Sequence, residues 1–83
     1  MAKRPREADV EQAYRCALRD MRIAAGLRQV DLGAALRREQ SWWSRVERGV
    51  RRLDMLELRE VCRLCGSTLE AFMRDLDERI AGS

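Results

Sequence analysis

The sequence QSWWSRVERG, from Gln40 to Gly49, decides the fold of this chain. Wound as a helix at about 100° per residue, it separates into two chemically different faces. The side chains that can hydrogen-bond to base edges and phosphates share one face, and they are Gln40, Ser41, Ser44, Arg45 and Arg48. The opposite face holds apolar core material and one carboxylate, and its residues are Trp42, Trp43, Val46 and Glu47. This division is typical of a helix whose outer face reads DNA.

Length and composition limit the chain to one small domain. It has 83 residues, and its hydrophobic fraction of 46% argues against disorder. No stretch approaches the roughly 20 apolar residues that cross a bilayer, and the start MAKRPR lacks the apolar run of a signal peptide. We therefore expect a cytoplasmic protein with no membrane partner, whose three cysteines are reduced thiols.

The net charge of +3 conceals an uneven distribution along the chain. Residues 1 to 52 carry 13 Lys+Arg against 7 Asp+Glu, whereas residues 53 to 83 carry 4 against 7. The basic part contains the stretch Gln40 to Gly49 and can attract a polyanion, while the acidic end would repel phosphates. Solvated surface charge alone could give the same pattern, so the charge supports a nucleic-acid partner without establishing one.

Apolar residues recur at three- and four-residue steps, which predicts an all-α, compact domain of five helices. The first helix runs from about Arg6 to Ala25 and ends at Gly26, and the second runs from Gln29 to Leu36. The third begins at Gln40, and so short a connection makes the second and third helices cross steeply, as in a helix-turn-helix. Residues 1 to 6 are interpreted as a basic tail and residues 7 to 83 as a single domain.

Two further helices complete the domain and supply a candidate dimer interface. Asp54 caps the fourth helix, whose inward residues are Met55, Leu58, Val61, Cys62 and Cys65. Ser67 or Thr68 starts the fifth helix, whose apolar side is Leu69, Phe72, Met73, Leu76 and Ile80. One recognition helix reads only about four or five base pairs, so we expect a homodimer that uses this apolar side as its interface. Packing within one chain competes for the same side chains.

The region from Leu18 to Leu76 contains a set of residues whose types and spacing match the sequence pattern of a known family. They are Leu18, Arg22, Gly26, Leu27, Gln29, Leu32, Leu36, Gln40, Ser41, Ser44, Arg45 and the closing run Val46 to Gly49. With these residues the chain resembles the Cro/repressor-type, XRE-like helix-turn-helix family. The stretch Arg51 to Cys62, RRLDMLELREVC, is similar to the segment after the motif in small bacterial members. The resemblance implies a regulator similar to small phage repressors and to controller proteins of restriction-modification systems.

The resemblance assigns DNA-contact roles that the two helix faces already suggest. Base contacts are expected from Gln40, Ser41, Ser44 and Arg45, and the Arg45 guanidinium suits bidentate bonding to guanine. Phosphate contacts are expected from Arg28, Gln29, Arg37, Arg48, Arg51 and Arg52. Any single arginine of this set can also serve only to keep a small domain soluble.

Glu47 lies on the inward face beside Trp43, where burying an unpaired carboxylate would cost several kcal/mol. Arg22, flanked by the core positions Met21 and Ala25, is the candidate partner, and the resemblance implies the same pair. We expect this ion pair to be structural and to fix the third helix against the first.

Among the positions that depart from the family pattern, two leave alternatives open. The turn between the second and third helices usually has glycine where this chain has Arg37. Either Arg37 adopts a strained left-handed conformation, or the turn has another shape. Trp42 stands where a less bulky residue is common, and it either shields the core between the third and fourth helices or stacks on the DNA backbone.

A redox switch, a zinc site and a catalytic activity have weaker support in the sequence. Cys16, Cys62 and Cys65 would give three thiols for a redox switch or for zinc, but Cys62 and Cys65 lie on the apolar side of a helix. We expect them to pack in the core, with no metal and no cofactor. The chain has no histidine and no Gly-rich phosphate loop, so we do not expect an enzyme.

The sequence as a whole predicts a transcriptional regulator, as a repressor or autoregulator, that binds an inverted repeat of double-stranded DNA as a homodimer. RNA polymerase would be a further partner of an activator. The alternative is a protein-interaction module, such as an antitoxin or antiactivator, that keeps the helix-turn-helix fold. The tail MAKRPR either reaches along a minor groove or serves as a solubilising segment.

Overall fold

The computed structural model describes residues 6 to 82, which form five α-helices and no strand. The helices are α1 Glu7–Ala24, α2 Gln29–Ala35, α3 Gln40–Glu47, α4 Met55–Leu64 and α5 Leu69–Ala81. The predicted all-α class and helix order are therefore confirmed. Apart from Arg6, which directly precedes α1, the predicted basic tail lies outside the described residues. No helix within the described range is both long enough and apolar enough to cross a membrane.

Local sequence signals set the helix ends. Gly26 follows α1 with φ of +75°, and the Leu27 N–H then donates to the Arg22 carbonyl oxygen over 3.2 Å. At the start of α4, the Asp54 carboxylate accepts from the Glu57 N–H at 2.7 Å, and the Glu57 carboxylate accepts from the Asp54 N–H at 2.9 Å. Thr68 caps α5 by accepting from a backbone N–H one turn later. Asp54 is the cap that the sequence predicts, and Thr68 is one of the two alternatives that the sequence leaves open for α5.

One hydrophobic core receives side chains from all five helices. Its fully buried large members are Leu18, Leu32, Trp43, Val46, Val61 and Cys62. The helix α3 packs against α2 and α1, and α5 packs against α1 and α4. The rings of Tyr14 and Phe72 meet edge to face, with centroids 6.3 Å apart, and so connect α1 with α5. Because α3 contributes three buried residues from a helix of eight, most of one face is committed to this core.

Two inferences about apolar residues change once the helices are packed. The prediction that Met55 faces inward is wrong, because 73% of its surface is exposed at the first turn of α4, beside an apolar groove. Two residues of the predicted dimer interface, Phe72 and Leu76, are buried in the core of the protomer itself. Met73 is 42% exposed, whereas Leu69 and Ile80 are partly buried against the core.

The turn between α2 and α3 takes the left-handed form. Arg37 has φ of 57°, and it is the one residue other than glycine with positive φ in the described part of the chain. The Arg38 N–H then donates to the Gly33 carbonyl oxygen at 2.7 Å. A Cβ at Gly33 would lie only 3.1 Å from the Arg38 carbonyl oxygen, so the turn approaches α2 closely where a side chain is missing. The chain thus keeps the turn shape that glycine usually provides, with the strain placed on Arg37.

Candidate nucleic-acid interface

The outer face of α3 presents polar side chains to solvent. Gln40, Ser41 and Arg45 are exposed, and Ser44 is partly buried. The Ser41 hydroxyl lies 3.4 Å from a carboxylate oxygen of Glu39, the residue before the helix. The structure thus brings the four predicted base-contact residues together on one exposed surface, while their contact with DNA stays a prediction.

The inner face of α3 is tied to α1 by an ion pair. The Arg22 Nε donates to the Glu47 Oε2 at 2.6 Å, and the Arg22 Nη2 donates to the Oε1 at 3.1 Å. A third guanidinium nitrogen of Arg22 donates to the Leu27 carbonyl oxygen at 2.9 Å. The two charged side chains are only 12% and 6% exposed. This fork-to-fork geometry fixes both the position and the rotation of the helix end that carries Glu47.

Two further donors complete the surroundings of the Glu47 carboxylate. The Gln29 side-chain amide donates to Oε1 at 3.2 Å, and the Trp43 indole N–H donates to Oε2. Burial by itself would raise the pKa of Glu47, but the hydrogen bonds from Arg22, Gln29 and Trp43 together outweigh it and lower that pKa. Glu47 therefore stays ionised and joins α1, α2 and α3 at one point.

The role of Gln29 in this network was not anticipated from the sequence. One N–H of its side-chain amide is used within the protein, so the predicted phosphate contact of Gln29 stays a prediction that its second amide N–H or its backbone N–H would have to satisfy. No short spacing relates Gln29 to Glu47, which lie 18 residues apart in the chain, and so no local pattern announces their contact.

The arginines predicted to contact phosphate flank α3 with differing degrees of freedom. Arg37 and Arg48 are exposed, and the Arg48 Nε lies 3.4 Å from the Ser44 carbonyl oxygen. The Arg28 guanidinium is exposed but bonded to Asp31 at 2.9 and 3.0 Å, which lowers the pKa of that carboxyl to about 2. The guanidinium groups of Arg28, Arg37 and Arg48 can therefore turn toward a polyanion while losing few buried contacts.

The two arginines after α3 are held by carboxylates. Arg52 is paired with Glu11, which joins the loop to α1. Arg51 is less exposed than Arg52, and its Nη2 lies 3.1 Å from the Glu57 Oε2. Its Nε is buried and has no hydrogen-bond partner among the described residues. Arg51 is thus partly buried and held by a contact to α4, unlike exposed Arg37 and Arg48.

Trp42 is buried, with only 7% of its surface exposed, which favours the core-shielding alternative. Its ring lies 6.1 Å from that of Trp43 between centroids. Two guanidinium carbons lie over the indole of Trp42, that of Arg38 at 5.2 Å and that of Arg51 at 5.1 Å from the ring centroid. Arg38 was not singled out from the sequence, because it lies in the turn before α3, where helical spacing does not indicate a contact with Trp42.

The cysteines do not form a common site. Cys62 is fully buried, Cys65 is partly buried and Cys16 is exposed. Burial raises the pKa of Cys62, with a smaller contribution from neighbouring Cys65, and burial also raises the pKa of Cys65. Both thiols therefore stay protonated at neutral pH and are poorly reactive. Residues 6 to 82 contain no group of three or more His, Cys, Asp or Glu side chains arranged to hold a metal ion.

Comparison with known families agrees with the geometry of α2, the turn and α3. Residues 13 to 73 match the family model described as helix-turn-helix domain. The chain belongs to this family. In DNA-binding helix-turn-helix domains generally, the second helix of the motif lies in the major groove, and α3 is the helix at the corresponding position in this chain. The family and the fold support a DNA-binding transcriptional regulator as the class of this protein.

Solved structures show the same fold. A crystal structure of the clp gene regulator ClgR from Corynebacterium glutamicum is similar with a TM-score of 0.75 and 24% identity, over 96% of this chain and 99% of that chain. A second structure of that regulator gives a TM-score of 0.78 and 24% identity, over 95% of this chain and 81% of the other. No curated protein sequence matches the chain. The predicted helix-turn-helix fold is confirmed, whereas a specific likeness to phage repressors stays a prediction.

Proposed function

We propose that the protein is a sequence-specific transcriptional regulator, a repressor or autoregulator, that binds an inverted repeat as a homodimer through α3. The observation that carries the proposal is the division of α3 into an exposed polar face and a buried face locked by the Arg22–Glu47 ion pair. A reading surface held on a rigid support is what direct readout of base edges requires. The proposed activity involves no catalytic step, and we place it in the cytoplasm.

Each side chain of the exposed face suits a particular part of DNA. The Arg45 side chain has no hydrogen-bond or ion-pair partner within residues 6 to 82, so its fork of donors is free for a guanine edge. Gln40 suits adenine or a phosphate, and the hydroxyls of Ser41 and Ser44 can serve either. The flanking arginines, among which Arg37 and Arg48 are exposed, would set the register of the domain along the phosphate backbone.

Dimerisation is proposed to involve the groove beside Met55. An apolar groove of about 410 Å³ lies between α1, α4 and α5, and Met73 of α5 contributes to its lining. Met55 and Leu56 are strongly exposed at the start of α4, immediately beside this groove. In an isologous pair each copy could insert its protruding Met55 into the groove of the other, so one patch supplies both halves of the contact. A second copy of the chain is therefore the proposed occupant. Of the predicted α5 interface, exposed Met73 and partly buried Leu69 line the groove and remain available to it.

The decisive experiment for DNA reading is selection of bound fragments from random double-stranded DNA. The wild-type chain should enrich an inverted repeat whose half-site centres are about one helical turn apart. The triple variant Gln40→Ala, Ser41→Ala, Arg45→Ala should lose this enrichment while keeping its circular dichroism spectrum. Arg74→Gln, an exposed position on α5, is the matched control and should select the same repeat. Enrichment by the triple variant equal to that of the wild type would refute the proposed reading surface.

Sedimentation equilibrium tests the proposed dimer separately. Met55→Lys should shift the protein to a monomer, because a charge in an apolar contact must lose its hydration. Ile23→Lys is the control, since Ile23 is also an exposed apolar residue but does not line the groove. Equal dimer dissociation constants for both variants and the wild type would exclude this patch as the interface.

The same groove supports a second candidate, a protein-interaction module such as an antitoxin or antiactivator. In that case a different protein would cover the groove, and α3 would be a surface without a DNA partner. Phosphate binding releases counterions, so a regulator must lose affinity for DNA steeply as salt rises. Absence of salt-dependent binding to duplex DNA by the wild-type protein would favour the interaction module.

A further inference from the structure

Two arginines approach the same aromatic ring on α3. Trp42 is buried near the start of the helix, and the guanidinium groups of Arg38 and Arg51 lie over its indole at 5.2 and 5.1 Å from the centroid. Arg38 belongs to the turn before α3, and Arg51 belongs to the loop after it. The ring therefore contacts the segments on both sides of the recognition helix.

The two arginines share the contact with Trp42 but differ in their exposure and in their other contacts. Arg51 is also paired with Glu57, whose carboxylate accepts the Asp54 N–H at the start of α4, and the Arg51 Nε is buried. Arg38 is exposed, and in the described part of the chain its side chain has no hydrogen bond or ion pair. The Arg51 side chain is therefore held by both Glu57 and the Trp42 ring, whereas the contact described above for the Arg38 side chain is the one with the Trp42 ring.

A guanidinium held over an aromatic ring by a cation–π contact makes no hydrogen bond to that ring, so its N–H donors stay free. The contact with Trp42 thus limits the movement of the Arg38 side chain without using its hydrogen-bonding capacity. Arg38 comes two residues before Gln40, at the end of α3 that enters the groove in helix-turn-helix proteins. The phosphates that border a groove lie beside such a position.

We propose that Trp42 is a positioning residue that holds Arg38 as a phosphate contact at the N-terminal end of α3, while Arg51 anchors Trp42 to α4. This proposal rests on the DNA binding proposed above and refines it. It adds Arg38 to the phosphate contacts and gives Arg51 a structural part. It also gives the bulky residue at position 42 a function, because a small side chain there would leave Arg38 unsupported.

The slope of log affinity against log salt separates contact from structure. Each phosphate contact contributes about 0.9 to this slope on duplex DNA, and a residue that only supports the fold contributes nothing. With a short random-sequence duplex as probe, Arg38→Gln should make the slope shallower by about 0.9 for each bound protomer, at unchanged melting temperature. Arg51→Gln should lower the melting temperature and leave the slope of the folded protein unchanged. Arg74→Gln, on exposed α5, should change neither quantity.

A double-mutant comparison tests the positioning role of Trp42. Trp42→Leu should reduce the slope as much as Arg38→Gln does, and adding Arg38→Gln to Trp42→Leu should reduce it no further. Trp42→Phe keeps an aromatic face and should restore most of the wild-type slope. A full wild-type slope in Trp42→Leu, or an unchanged slope in Arg38→Gln, would overturn the proposal.

Folding and function failures give different results. If circular dichroism shows that Trp42→Leu is unfolded, the pair Arg38→Gln and Arg51→Gln decides, because equal slopes in these two variants would also overturn the proposal. If the wild-type chain shows no salt-dependent binding to duplex DNA, the proposed function fails. If the wild type binds and only the Arg38 effect is missing, the DNA-binding function stands and the inference about Trp42 falls.

Discussion

Removal of the Arg22 guanidinium tests how strongly α3 depends on its buried carboxylate. In Arg22→Ala the Glu47 carboxylate, whose side chain is 6% exposed in the intact pair, would lose the positive charge that balances it. Its hydrogen bonds from Gln29 and Trp43 would persist, but the two bonds from Arg22 at 2.6 and 3.1 Å would be lost. We expect a folded but much less stable protein.

The magnitude depends on the burial of the pair. Breaking a buried ion pair by removing one partner costs about 3–5 kcal/mol, and the two surviving donors to Glu47 favour the lower end of that range. For a domain of 60 to 100 residues, each kcal/mol corresponds to a melting-temperature change of about 4–8 °C. Arg22→Ala should therefore melt roughly 12–24 °C below the wild type. Arg19→Ala, an exposed position on the same helix, should stay within about 0.5 kcal/mol of the wild type.

The pH dependence gives an independent check on the cause. The pKa of Glu47 is lowered in the folded wild type, so its ionised form contributes stability above the ordinary carboxyl range and loses it as pH falls through the lowered pKa. In Arg22→Ala, burial without the ion pair should raise the pKa of Glu47. As pH falls, Glu47 therefore loses its unbalanced charge at a higher pH in the variant than in the wild type, and this protonation stabilises the variant. The gap in melting temperature should therefore be widest near neutral pH and narrow progressively in acid. A gap that is absent, or that stays constant with pH, would refute the reasoning.

Three other substitutions test single features of the fold. Arg37→Gly should raise the free energy of unfolding by about 0.5–1 kcal/mol in a urea titration, because relief of the left-handed strain exceeds the entropy cost of glycine; a loss of stability would contradict this. Cys62→Ser places a hydroxyl in a fully buried site and should lower the free energy of unfolding by about 1–3 kcal/mol. The control Cys16→Ser changes an exposed thiol and should have no measurable effect. Equal melting temperatures for the two variants would contradict this expectation. Asp54→Ala removes the cap of α4 and should lower the free energy of unfolding by about 1 kcal/mol, and an unchanged urea midpoint would show that the cap is dispensable.

The helix boundaries and the two faces of α3 could be predicted because their signals are local. Gly26 marks the end of α1 through its positive φ, and Asp54 marks the start of α4 through its side chain. The inward position of Trp43 follows from helical spacing alone. The partner of Glu47 needed one more step, because a buried carboxylate requires a cation and Arg22 occupies a core-facing position on α1.

Features that depend on how far neighbouring helices extend could not be predicted. Helical periodicity assigns Met55 to the same side as Cys62, yet the first turn of α4 borders an open groove and leaves Met55 exposed. Periodicity likewise identifies the apolar side of α5 but does not divide it between the core and a partner. Packing against α1 and α4 buries Phe72 and leaves Met73 exposed.

Two sets of contacts on the inner face of α3, those of Glu47 and those of Trp42, explain why an eight-residue helix can serve as a reading surface. A helix of this length is not stable by itself in water, so its direction is set by the contacts that hold its ends. Glu47, bound by Arg22 and its neighbouring donors, fixes the C-terminal end, and Trp42 lies between the segments that enter and leave the helix. Substitutions on the outer face, such as Arg45→Ala, should therefore reduce DNA affinity without lowering the melting temperature. Arg22→Ala and Trp42→Leu should each reduce both quantities together, since the outer side chains read DNA only while the helix beneath them keeps its direction.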